Sequence, residues 1–111
     1  MAGRMVCTRR PRAIEDIDEH AKHIAKESVN SASTFVDKIE ETVEFIIQFP
    51  ESGGLFVTQH RRLLGVRAKL VSQFPRYAVF YLVDEFAIEI VRVLAGGQEF
   101  DTILSTLERP G

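Results

Sequence analysis

Apolar residues recur every three or four positions between residues 11 and 25: Ile14, Ile17, Ala21, Ile24 and Ala25. That spacing predicts an amphipathic helix with one apolar stripe and a charged opposite side. Pro11 suits its first turn, where a missing N–H costs no hydrogen bond. A break at Glu27-Ser28-Val29-Asn30-Ser31 follows, with Asn30 or Ser31 placed to cap a second helix. In that helix Ala32, Phe35, Val36, Ile39, Val43, Ile46 and Ile47 form the stripe, and Pro50 ends it. Residues 11–49 therefore read as an antiparallel helical hairpin whose apolar faces need a cover.

The period then changes. Glu51-Ser52-Gly53-Gly54 is a loop by composition. Candidate strands follow at 65–72, 76–83 and 86–94, rich in Val, Ile, Tyr and Phe. Connections this short imply antiparallel neighbours. Residues 4–10 form a further short candidate strand, and Ile103, Leu104 and Leu107 suggest a last helical turn or two in a tail at 101–111. Helices followed by strands, without βαβ alternation, predict one α+β domain over residues 1–111. Its expected form is a helical hairpin on a small antiparallel sheet of three to four strands, centred on residues 65–94. Alternation is read as turning Val66, Ala68, Leu70, Ala78, Phe80 and Leu82 toward the helices. Arg67, Lys69, Tyr77 and Tyr81 would then lie on an open face. Arg92 has apolar neighbours on both sides, so its direction stays open.

Charge adds a division along the chain. Residues 13–53 carry ten acids and three bases, whereas residues 58–83 carry five bases (Arg61, Arg62, Arg67, Lys69 and Arg76) and no acid. A basic face within a chain of net charge −2 is thus expected. This balance argues against direct sequence-specific nucleic-acid binding, for which a basic domain is expected. A single cysteine, Cys7, excludes an internal disulfide and points to a reducing compartment. The start MAGRMVCTRR lacks the apolar core of a secretory leader, and the longest apolar run, YAVFYLV, is too short to span a bilayer. A cytoplasmic protein without membrane contact is expected.

Candidate chemistry is sparse. Asp16, His20, His23 and Glu27 fall on one flank of the first helix, a spacing able to hold a metal but equally produced by amphipathicity. We read it as a solvated flank, with no metal and no cofactor. The last strand runs out into Ala95-Gly96-Gly97-Gln98, none of which exchanges a proton near neutral pH.

Several stretches together resemble the ParE/RelE superfamily of bacterial toxins. They are Ala13-x-x-Asp16-Ile17, the Pro50-to-Gly53 step, Arg61-Arg62, "RYAVFYLV" and "IEIVRVLAG". The long helical hairpin and "FPESGG" resemble the ParE branch. The resemblance implies the toxin of a type II toxin–antitoxin pair that inhibits DNA gyrase by protein–protein binding, without catalysis. It also implies a cognate ParD-like antitoxin, encoded beside it, lying across the groove and sheet in a hetero-oligomer. Arg61, Arg62, Arg67, Lys69, Arg76, Tyr77, Tyr81 and Arg92 are the candidates for target or antitoxin binding. The alternative is a RelE-like ribosome-dependent mRNA endonuclease using Lys69, Arg76, Tyr81 and Arg92. Against it stands the Gly96-Gly97 exit, where many superfamily members place His, Tyr or Arg. A non-toxic degenerate member that keeps antitoxin binding is the third reading.

Overall fold

The computed structural model describes residues 5–57, 61–97 and 100–104, apart from the side chains of Arg62, Asp101 and Thr102. The chain opens with strand β1 (Val6–Arg9) and passes at once into helices α1 (Pro11–Ala25) and α2 (Val29–Gln48). Strand β2 (Gly54–Leu55) and a 3-10 turn at Arg61–Leu63 lead to β3 (Arg67–Val71), β4 (Phe74–Val83) and β5 (Ala87–Ala95), and α3 (Phe100–Leu104) follows. Pro11 takes the first turn of α1 as expected. The cap of α2 is Ser28 rather than Asn30 or Ser31: its hydroxyl accepts the Ser31 N–H at 3.1 Å, so the helix begins at Val29, earlier than either cap would allow.

The sheet is larger and less uniform than the sequence predicts. Five strands run in the order β1-β5-β4-β3-β2, and β1 pairs with β5 in parallel, Val6 opposite Ala87 and Arg9 opposite Ile90. The expectation of three to four antiparallel strands is thus corrected to five strands in a mixed sheet. Strand β1 lies within the candidate strand at 4–10, though its parallel pairing was not expected, and β2, two residues long, is too short for a period of two to register. Both hairpins around β4 are antiparallel, as short connections require. At the β4–β5 turn Asp84 Oδ1 accepts the N–H groups of Phe86 and Ala87, each at 2.8 Å, so a side chain completes a turn that Asp-Glu would not otherwise favour.

Both faces of the sheet are buried. Under the helical hairpin lie Val71, Val79, Tyr81, Ile88, Ile90 and Val93, packed against Ala13, Phe35, Ile39, Val43 and Ile46. On the reverse face Ala78, Phe80, Val91 and Leu94 pack with Leu63, Val66 and Leu104. This inverts the expected facing: Tyr81 and Val79 point to the helices, while Ala78 and Phe80 point away from them. The cause is visible in the sequence, since β4 is apolar on both sides and alternation cannot say which side a helix covers. The face expected to be open is closed in part by the 3-10 turn and α3, with Phe80 ringed by Phe56 and Phe100 at 5.7 and 5.1 Å. Among the described residues no helix is long and apolar enough to cross a membrane.

Candidate functional site

The predicted site residues separate into those locked inside the fold and those left at its surface. Arg92 is locked. Its Nε and Nη2 donate to the two carboxylate oxygens of Asp16 on α1, at 2.7 and 2.9 Å, with both residues buried. Asp16 Oδ2 also accepts the Val93 N–H at 3.0 Å. The pairing register steps from Tyr81–Ile90 to Phe80–Arg92, leaving Val91 as an extra residue in β5. Such a bulge re-aims side chains, and here it accompanies an Arg92 reaching α1. Glu89 instead takes Arg10 in a two-pronged pair at 2.9 and 3.1 Å, and Glu99 lies outside the described residues.

Asp16 therefore does not belong to a solvated flank of α1. His20, one turn on, places Nε2 2.8 Å from the Val93 carbonyl oxygen and its ring 4.9 Å from that of Tyr77. The two residues clip α1 onto β5. Among the described residues no three His, Cys, Asp or Glu side chains converge as a metal set, and His60 lies outside those residues.

Tyr81 and Arg67 are committed to the loop after α2. The fully buried Tyr81 hydroxyl donates to the Pro50 carbonyl at 2.7 Å and accepts the Gly53 N–H at 2.9 Å. Arg67 Nη1 donates to the Gly53 carbonyl at 2.7 Å and to that of Glu51 at 3.3 Å. A Cβ on Gly53 would stand 2.6 Å from the Tyr81 hydroxyl oxygen, so only glycine permits this approach. The Pro50-to-Gly53 step is thus held from inside the sheet.

The remaining candidates are at the surface. Arg61 and Arg76 are exposed, Tyr77 is half-buried between His20 and Phe35, and the Arg62 side chain lies outside the described residues. At the exit of β5 the Gly96 N–H donates to the Arg76 carbonyl, and Gly97 takes φ 91°. Gln98 lies outside the described residues. Three cations elsewhere, Arg9, Arg12 and Lys22, are held above their ordinary range mainly by hydrogen bonds to Glu40, Glu15 and Asp18. All three already carry their charge at neutral pH, so these shifts create no titration there.

Lys69 marks the expected groove between the helical hairpin and the sheet, whose aromatic wall on α2 the sequence did not disclose. Its ammonium sits 4.7 Å from the centroid of the Phe45 ring on α2. Glu41, Thr42, Phe45, Lys69, Leu70 and Ser72 line a hollow of about 280 Å³ between α2 and β3. Thr42 fixes its floor, donating to the Lys38 carbonyl at 2.7 Å and accepting the Ser72 N–H at 3.1 Å. Glu41 is balanced by Lys38 at 2.9 Å, so Lys69 sets the charge of the rim. Phe45, Phe49 and Leu70 are 44, 54 and 60% exposed, a concentration of apolar surface seldom left to solvent. Along the same side, β2 pairs only Arg67 and Ala68, and among the described residues Lys69 to Val71 have no strand on that edge. Phe45 and Phe49, one turn apart and off the main stripe of α2, were the available signal.

An apolar groove beside an unpaired strand edge is a surface suited to taking up another polypeptide. The model for ParE toxins of type II toxin–antitoxin systems, parDE, matches residues 8–100, and the chain belongs to that family. A solved chain of the chromosomal ParDE TA system from P. aeruginosa shares the fold, with a TM-score of 0.67 at 20% identity. The match covers 83% of this chain and 96% of that one. No curated protein sequence matches.

Proposed function

We propose that this family member acts in the cytoplasm by occupying DNA gyrase rather than by catalysis, and that a ParD-like antitoxin neutralises it along the α2–β3 groove. The observation that carries the reading is the groove itself, apolar on its walls and rimmed by Lys69. An amphipathic, acidic partner segment suits it: apolar side chains against Phe45, Phe49 and Leu70, a carboxylate toward Lys69. Arg61, Arg62, Arg76 and Tyr77 are the further contact candidates, and Arg67, Tyr81 and Arg92 serve binding by holding the framework.

The nuclease alternative has less support. Cleavage through a ribose 2′-OH needs a base, an acid and cations at the phosphate. Of the four residues that reading requires, Tyr81 and Arg92 are buried with their polar atoms engaged. Lys69 and Arg76 remain, and neither is a ready base at neutral pH.

The test is a supercoiling assay with the purified chain, gyrase, ATP and relaxed plasmid. Lost supercoiling with trapped DNA breaks, reversed by the antitoxin, is expected. Cleavage of mRNA on ribosomes with gyrase unaffected would replace this reading with the enzymatic one.

A further inference from the structure

A second exposed apolar point lies at the β4–β5 turn. Phe86 is 77% exposed there and belongs to neither core, although turns of this kind ordinarily carry polar residues. Its backbone is fixed from both sides. Asp84 Oδ1 accepts its N–H at 2.8 Å, and its carbonyl accepts the Val6 N–H at 3.2 Å. Val6 is itself 63% exposed on β1, opposite Ala87. Next to the turn opens a hollow of about 370 Å³ whose lining includes Thr8, Leu82, Val83 and Ala87. The surface therefore offers a protruding ring and a recess side by side. An aromatic side chain presented on a fixed backbone loses little freedom when a partner encloses it, which is how interface anchors gain affinity.

The position excludes the groove as its neighbour. Leu70 pairs with Ala78, five residues before Val83 along β4, which places the turn roughly 17 Å further along the strand. Charge gives the partner's character. Asp84 and Glu85 are exposed and directly precede Phe86, so a complementary surface carries basic groups beside an apolar socket.

We propose that this turn is a second docking point, at which Phe86 and Val6 enter an apolar socket with a basic rim on the toxin's protein target, apart from the antitoxin groove. The proposal rests on the reading that the target is gyrase, and gyrase is the probe. Phe86→Asp and Glu85→Lys are compared with the unsubstituted chain for supercoiling inhibition, antitoxin affinity and melting temperature. Phe86→Asp is expected to need at least tenfold more protein for half-inhibition, and Glu85→Lys about threefold more. Antitoxin affinity should stay within twofold, with unchanged melting. An inhibitory chain whose Phe86→Asp variant inhibits equally overturns the docking point alone. A chain without effect on gyrase overturns the gyrase reading and the docking point with it. Self-association that Phe86→Asp abolishes, with inhibition intact, would assign the turn to a second copy and overturn the proposal.

Discussion

Asp16 shows how much one side chain decides. It receives two bonds from Arg92 and one from the Val93 N–H, all inside the protein. A buried pair of this kind adds little over apolar residues of equal volume, yet removing one partner strands the other's charge. Asp16→Ala should therefore lower stability by about 3–5 kcal/mol, and Asp16→Leu with Arg92→Met should recover most of that loss. Urea unfolding of the single and double variants reads both values. Tyr81→Phe should cost about 1–3 kcal/mol, because the Pro50 carbonyl and Gly53 N–H would lose their shared partner. At this scale the sequence was only half legible. Asp16, Pro50, Gly53 and Tyr81 stand in the stretches that carried the family resemblance. Their roles were hidden because each depends on a partner 28 to 77 residues away, which no local period reports.

Helices and hairpins were far more legible than their orientation. The three-and-four spacing located both helices, and short connections identified both antiparallel hairpins around β4. Facing was lost because β4 and β5 are apolar on both sides, and a one-residue choice moves every side chain to the other face. The bulge at Val91 is the extreme case, since it breaks alternation inside the very strand that carries Arg92. The β3–β4 turn offers a direct check on local geometry. Gln73 holds φ 64°, a left-handed conformation that a side chain disfavours. Gln73→Gly should stabilise the protein by about 0.5–1 kcal/mol, partly offset by glycine's greater freedom when unfolded. Calorimetry should show that as a rise of a few degrees in melting temperature. An unchanged or lower value would place the turn in another conformation.

On the scale of the whole molecule, the chain closes both faces of its sheet, and among the described residues two of the places where it leaves apolar side chains to solvent stand well apart. One is the α2–β3 groove beside the stretch of β3 edge that no described strand pairs, and the other is the Phe86 turn. The charge division seen in the sequence survives in altered form. Rather than a cationic open face, Arg67 braces a loop and Arg92 lies in the interior, leaving Lys69, Arg61 and Arg76 toward solvent. The acids of α1 and α2 are tied in part to local cations, as in Lys22–Asp18, Lys38–Glu41 and Arg9–Glu40. A partner that binds only the folded state stabilises it in proportion to its concentration over its dissociation constant. The antitoxin should therefore raise the toxin's melting temperature by an amount that grows with antitoxin concentration. The central claim is that the groove receives that antitoxin, and calorimetric titration of the antitoxin into the toxin and its Leu70→Asp variant tests it most directly. Leu70 is exposed and outside both cores, so the variant should fold as the parent does. A carboxylate in place of an apolar residue lining the groove is expected to weaken binding of an acidic partner by at least tenfold. Equal affinity for both proteins would contradict the account and move the antitoxin to another face.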